Sequence, residues 1–143
     1  MIYTKDVTVT KNTDEGTAVR QKIKCSAGVL NEFNVVFPPG CAGLVHFTLW
    51  QGGHQLIPST QGMSIRGDDE VVDFREYVVL PNDSNTLEVR AWNTDDTFDH
   101  TLHVRLSVLP EDVLAFGTLM SRVPDLVRKI LLGRQKKSEK GET

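Results

Sequence analysis

The segment DHTLHVRLSVL, residues 99–109, decides the fold class of this chain. Leu102, Val104, Leu106 and Val108 occupy every second position, and polar residues fill the positions between them. A period of two residues is typical of a β-strand that buries one face in a core and exposes the other. The same period recurs in the segments before this one and stops directly after it, so the sequence divides at Pro110.

Working outward from this segment, the alternation recurs throughout the N-terminal part of the chain. The clear segments are TAVRQKIKC (17–25), VLNEFNVVF (29–37), LVHFTLWQ (44–51), EVVDFREYVV (70–79) and TLEVRAWN (86–93), with YTKDVTV (3–9) and HQLIPS (54–59) weaker. Turn-forming sequences such as PPG (38–40) and LPNDSN (80–85) separate several of them. Seven or eight short antiparallel strands with one buried face each predict an all-β protein. We expect a two-sheet β-sandwich, either a jelly roll or immunoglobulin-like.

Two segments carry more specific expectations. In residues 29–37 the alternation places one apolar set on the core face, namely Val29, Phe33, Val35 and Phe37. Residues 58–70, PSTQGMSIRGDDE, show little strand pattern and predict a long connection between elements. Whether this connection binds a ligand or an ion is left open by the sequence.

The pattern changes from strand to helix at Pro110. Proline and acidic residues favour a helix start there, and Pro124 and Gly133 bound a second helical stretch. We therefore expect a β-sandwich domain at 1–109, a C-terminal helical segment at 110–133 and a basic flexible tail at 134–143. The predicted partner-binding residues of this segment are Val113, Phe116, Met120, Leu126, Val127, Arg128, Lys129, Ile130 and Leu131. Docking on the chain's own sandwich and docking on another copy both remain open.

The charges of the 143 residues are unevenly distributed, although the net charge is only −3. Residues 122–143 carry seven Lys or Arg and three Asp or Glu, whereas the preceding residues are strongly acidic. An acidic body with a basic tail can attract copies of itself, an acidic partner or an anionic surface. We expect the partners to be other copies of the chain and other structural proteins of an assembly. No overall basic bias indicates a nucleic-acid partner. The sequence shows no signal peptide and no transmembrane segment, so we expect the protein in the cytoplasm or in a virion. Contact with a membrane is the least favoured hypothesis.

The sequence contains no recognisable catalytic pattern. It lacks a nucleophile elbow and a phosphate-binding glycine loop. The histidines are His46, His54, His100 and His103, which we expect at the surface or in loops. His100 and His103 fall on opposite faces of one strand, so they cannot hold one metal ion together. We therefore predict a protein that is not an enzyme and has no metal, no cofactor and no small-molecule substrate.

The two cysteines, Cys25 and Cys41, are too few for a disulfide framework. Each lies in or beside an apolar strand pattern, which favours a free, partly buried thiol. The sequence leaves a single disulfide between them open.

Trp50 and Trp92 are predicted on the polar faces of their strands. Together with His54 and Asp95 in neighbouring loops, they are candidate ligand-binding residues for a carbohydrate or a cell surface. The alternative is that the second sheet or the helical segment covers both tryptophans and makes them part of a core.

Two stretches, GGHQLIPSTQGMSIRGDDE (52–70) and LEVRAWNTDDTFDHTLHVRLSVLP (87–110), give the chain a family resemblance. Residues 44–110 resemble small β-sandwich proteins encoded among the structural genes of tailed phages and prophages. Such proteins decorate capsids or join virion parts. The resemblance implies a non-enzymatic structural role in a multi-copy assembly, and it transfers no functional residue to this sequence.

Overall fold

The computed structural model of the protein describes residues 1–110. In order along the chain, these form β1 (Ile2–Val9), β2 (Val19–Cys25), β3 (Gly28–Phe37), β4 (Val45–Gln51), β5 (His54–Ile57), β6 (Ile65–Arg66), β7 (Glu70–Leu80), β8 (Asn85–Asn93) and β9 (His100–Leu109). A 3₁₀ turn at Glu15–Thr17 precedes β2. The predicted helical segment and basic tail, with all nine predicted partner-binding residues, lie outside the described residues. None of the helical structure in residues 1–110 is long and apolar enough to cross a membrane.

The strands form two antiparallel sheets that pack on each other. Sheet A has the order β1-β9-β3-β7, and sheet B has the order β2-β8-β4-β5, with β6 paired to β4. The pairs are nested along the chain, because β1 pairs with β9, β2 with β8, β3 with β7 and β4 with β5. The predicted all-β class and the two packed antiparallel sheets are therefore confirmed.

The core lies between the two sheets and is built from the alternating apolar positions. Phe33 of sheet A meets Phe47 of sheet B, with ring centroids 5.1 Å apart. Sheet A also buries Val7, Val9, Val35, Phe37, Leu102, Val104, Leu106 and Val108, and sheet B buries Ile23, Val45, Leu49, Leu87, Val89 and Ala91. Each fully buried Val, Leu, Ile or Phe side chain stabilises the fold by roughly 1.5–3 kcal/mol. Hydrophobic burial by both sheets is therefore the main force that holds them together.

A β-bulge changes the face on which one predicted core residue lies. The register of β3 against both neighbours shifts between Leu30 and Glu32. Leu30 is opposite Val108 and belongs to the core cluster, whereas Val29 is opposite Leu109 and does not. Val29 is fully buried. The prediction that it shares a face with Phe33 was nevertheless wrong, because Asn31, an extra residue relative to β9, reverses the alternation at this point.

The predicted connection at residues 58–70 contains the short strand β6, which pairs with β4. The loop before it is held by the buried side chain of Gln55. Its amide nitrogen Nε2 donates to the carbonyl oxygens of Pro58, Thr60 and Met63 at 2.8, 3.2 and 3.1 Å. Hydrogen bonds from one side chain therefore fix the path of this part of the connection.

Candidate interaction surfaces

The outer face of sheet B carries aromatic and cationic side chains that the strand register places together. His46 lies opposite Trp92, and Trp50 lies opposite Glu88, on the neighbouring strands β4 and β8. We call this surface the aromatic–cationic face, and its members are Arg20, Lys22, Lys24, His46, Trp50, Arg66, Arg90 and Trp92. The intervening positions of β4 and β8 point into the core, so these residues point away from it. The second sheet therefore does not cover the two tryptophans.

Trp50 is fixed in place by neighbouring polar groups. The guanidinium of Arg90 lies 3.9 Å from the centre of the Trp50 ring, a cation–π arrangement. Arg90 Nε also donates to Glu88 Oε1 at 2.5 Å. The indole Nε1 of Trp50 donates to Thr48 Oγ1 at 2.9 Å, and that hydroxyl donates to the Arg90 carbonyl at 3.0 Å. Trp50 thus presents a rigid ring with a cation on one side of it.

Trp92 is supported in a similar way by an imidazole. The rings of His46 and Trp92 are stacked with centroids 4.8 Å apart and planes 8° from parallel. His46 Nδ1 lies 2.7 Å from Ser64 Oγ. Burial lowers the pKa of His46 below its usual 6.5, and the positive charge of Arg66 lowers it further, against a smaller opposing effect of Glu15. The imidazole is therefore mostly neutral at pH 7 and packs as an aromatic group.

Two shallow concavities adjoin the tryptophans. The first, of about 220 Å³, is lined by Glu15, Ala18, Arg20, Thr48, Trp50, Arg90 and Trp92. The second, of about 280 Å³, lies beside Trp50 and is lined by Gly52, Gly53, Thr86, Glu88 and Arg90. Five cationic residues against the carboxylates of Glu15 and Glu88 make this face locally basic on an otherwise acidic body. Such a surface can bind an anionic ligand that also offers a flat or apolar face.

The other two predicted ligand-binding residues lie elsewhere. His54 is exposed at the start of β5, beside the turn at Gly52 and Gly53. Asp95 is buried, and its carboxylate accepts hydrogen bonds from the backbone nitrogens of Thr97 and Phe98 at 2.8 and 3.3 Å. Its Oδ2 lies 2.9 Å from His100 Nε2. Of the four candidates, only Trp50 and Trp92 line the same concavity.

The Asp95–His100 pair has a structural role in the turn before β9. The hydrogen bond from His100 and then that from the Thr97 backbone lower the pKa of Asp95 below its usual 3.8. His100 is itself buried, so the expectation of a surface or loop position is wrong for this histidine. His100 lies two residues before Leu102 on β9, so its side chain points to the same buried face as Leu102 and Val104.

A second surface is the free edge of β7, which we call the β7 edge. Within residues 1–110, β7 has a strand neighbour on one side only, namely β3. Four large apolar side chains of this strand are exposed: Val71 by 55%, Phe74 by 38%, Tyr77 by 69% and Val79 by 53%. Charged residues Asp73, Arg75 and Glu76 lie between them. An eleven-residue edge strand with this composition is a ready template for pairing with another strand.

The cysteines are both free and buried. Burial raises the pKa of the Cys25 thiol. Burial, followed by the negative charges of Asp68 and Asp95, raises the pKa of Cys41 to about 11. Both thiols therefore stay protonated near neutral pH, and protonated thiols are poor nucleophiles and poor metal ligands. Within residues 1–110, no three side chains of His, Cys, Asp or Glu are grouped so that they could hold a metal ion.

The chain matches no protein-family model and no curated protein.

Proposed function

We propose that this chain is a non-enzymatic structural protein that works as one of many copies in an assembly, such as a virion or another particle. The observation that carries the proposal is the β7 edge. In a monomer, a long edge strand with four exposed apolar side chains promotes aggregation. In an assembly, the same strand can form an interface with a partner. The partners are other copies of the chain and other structural proteins of the same particle.

The strand order supports this proposal by analogy of fold. The nested pairs β1·β9, β2·β8, β3·β7 and β4·β5 are those of a jelly roll, which we propose as the finer fold class over an immunoglobulin-like sandwich. Jelly rolls build viral capsid and lectin domains. The resemblance to structural proteins of tailed phages agrees with the same role. A fold hosts many functions, so the exposed strand carries more weight here than the fold.

The solution mass of the full-length chain tests the proposal. Native mass spectrometry and light scattering over a range of concentrations should find a defined oligomer, because the exposed apolar area of β7 is removed from water only on association. A chain that stays monomeric at the highest concentrations reached would contradict it.

A second candidate function, binding of an acidic carbohydrate, is favoured by the aromatic–cationic face. Trp50 and Trp92 lie four residues apart in register, which places them about 13 Å from each other along the strands. Arg90 and the concavity of about 220 Å³ lie between them. Aromatic rings can stack on sugar rings while the arginines bind carboxylate or sulfate groups.

Calorimetric titration with acidic and neutral oligosaccharides tests this second function. Acidic oligosaccharides should bind, and Trp50→Ala and Trp92→Ala should each weaken binding. Phe98→Ala, which removes an exposed aromatic side chain elsewhere, should not. Equal binding by all four proteins, or no binding of acidic oligosaccharides by the wild type, would rule it out.

A further inference from the structure

We propose that the partner of the β7 edge is the same edge of a second copy, paired antiparallel about a two-fold axis at Phe74. This inference rests on the proposed assembly function and specifies one contact between two copies of the chain. The dimer would join two copies of sheet A into one continuous eight-stranded sheet. Isologous pairing of this kind is the commonest way in which identical subunits associate.

The backbone of β7 is suited to such pairing. Residues 70–75 of β7 are opposite residues 37–32 of β3 without interruption, so this part of the strand is regular. In an edge strand, alternate backbone N–H and C=O groups point away from the sheet and lack a strand partner. A second antiparallel strand satisfies them with main-chain hydrogen bonds, as in recognition by strand addition.

The side chains of β7 select one register. Two-fold symmetry requires that each residue before the axis lie opposite the residue equally far after it. With the axis at Phe74, Asp73 lies opposite Arg75 of the second copy, and this opposite-charge pair occurs twice. The two Phe74 side chains are then opposite each other. Beyond Arg75 the alternation of β7 is interrupted, because Glu76 and Tyr77 together oppose the single residue Asn31 of β3. The register is therefore selected by residues 73–75, where the charges and the aromatic rings are complementary.

Neighbouring registers are less favourable. An axis at Asp73 places two aspartates opposite each other, and an axis at Arg75 does the same with two arginines. Like charges that are directly opposite in a sheet destabilise the pairing. Neither Asp73 nor Arg75 makes a salt bridge to another residue of the described part of the chain. Both side chains are exposed, so a second copy can reach them.

The competing explanation is that Asp73, Arg75 and Glu76 keep the edge from pairing at all. Natural proteins often protect edge strands with charges. Charges that only protect would act by solvation, so their sign would not matter. Charges that select a register act through complementarity, so reversing both signs together should preserve association. This difference makes a charge-swap experiment decisive.

The experiment uses the full-length chain and three variants: Asp73→Arg, Arg75→Asp and the double swap. Each single variant should raise the dimer dissociation constant by about tenfold or more, because both cross-copy pairs become repulsive. An equimolar mixture of the two single variants should form heterodimers, since each arginine then faces an aspartate. The double swap should form homodimers again. Asp83→Arg and Lys11→Asp, which reverse exposed charges of the same signs away from β7, are matched controls that should leave the constant unchanged.

Analytical ultracentrifugation and native mass spectrometry of isotope-labelled mixtures measure these outcomes, with circular dichroism to verify folding. If the wild type forms a defined oligomer that none of the swaps affects, the pairing is wrong and the assembly function stands. If the wild type is a monomer, both proposals fail. If the folded single variants dissociate but the mixture and the double swap do not restore association, complementarity of the two charges is refuted.

Discussion

Phe74 is stacked on Phe33, with ring centroids 6.5 Å apart and planes 14° from parallel. The two rings are direct cross-strand partners of β7 and β3. Phe33 is fully buried against Phe47 of sheet B, whereas Phe74 keeps part of its surface exposed at the β7 edge. A continuous row of three aromatic rings therefore runs from the centre of the core to the free strand.

Because Phe33 is fully buried and Phe74 is partly exposed, we expect the same substitution to destabilise the protein by different amounts at the two positions. Phe33→Ala should lower the free energy of unfolding by about 3–5 kcal/mol, because it leaves a cavity between the sheets. Phe74→Ala should cost only about 1–2 kcal/mol, because less apolar surface is lost from a site that solvent already reaches. Denaturant unfolding at low protein concentration measures both. Equal costs at the two positions would contradict the described burial.

Gly28 is a position where the fold demands glycine. Its φ is +150°, and an added Cβ would lie 2.0 Å from the carbonyl oxygen of Leu109 on the neighbouring strand. Gly28→Ala should therefore lower the free energy of unfolding by on the order of 3 kcal/mol or more, since backbone must move.

Gly62 is the matched control for this substitution. Its φ is +79°, but an added Cβ there would meet nothing within 4 Å. Gly62→Ala should cost only about 1–2 kcal/mol, the price of a left-handed conformation in a residue with a side chain. Thermal unfolding of the two variants compares them directly. A Gly28 variant as stable as the Gly62 variant would show that β3 and β9 can separate at this point without loss.

The sequence predicted the two-sheet architecture because alternation marks a half-buried strand almost residue by residue. The prediction of which residues face the core was wrong where two apolar residues are adjacent and the alternation is ambiguous. Val29 and Leu30 are both apolar, so the pattern alone could not show which of them faces the core, and the bulge at Asn31 decided in favour of Leu30. β6 was missed because a strand of two residues is too short to show a period.

For a related reason, the sequence could predict which residues lie on the aromatic–cationic face but not how they contact each other. The outward positions of Trp50 and Trp92 follow from alternation within each strand. The stacking of His46 on Trp92 depends on the register of β4 against β8, two strands far apart in the chain. No local pattern contains that register. In contrast, the burial of His100 could have been predicted from the sequence, because it lies two residues before the apolar Leu102 in the same alternating pattern.

Gln55 provides a test of how the loop after β5 is held. Gln55→Glu places a carboxylate against three carbonyl oxygens, so it should destabilise the protein by at least about 1–3 kcal/mol. Gln55→Met removes the same hydrogen bonds without adding charge and is the matched comparison. Hydrogen exchange should show loss of protection at residues 59–64 in both variants. The glutamate variant should approach the methionine variant in acid, where its carboxyl group is protonated and can donate. Two variants with the same stability at every pH would show that the side chain does not face these carbonyls.

The raised pKa of Cys41 predicts that the folded protein loses stability at alkaline pH. Its pKa is raised from the usual 9.0 to about 11 in the folded state, so the unfolded chain releases this proton first as the pH rises. Below pH 9.0 both states hold the proton, and the thiol adds no pH dependence. Between pH 9.0 and about 11 the unfolded state is favoured by about 1.4 kcal/mol for each pH unit.

The measurement compares the wild type with Cys41→Ala by urea unfolding at several pH values from 8 upward, so that the titrations shared by both proteins cancel. The wild type should lose stability more steeply than the variant across this window. A thiol reagent applied to the folded Cys25→Ala variant, in which Cys41 is the remaining thiol, should react slowly at pH 8 and rapidly once urea unfolds the chain. Parallel stability curves together with rapid labelling of the folded protein would mean that Cys41 is accessible to water and not enclosed between the sheets.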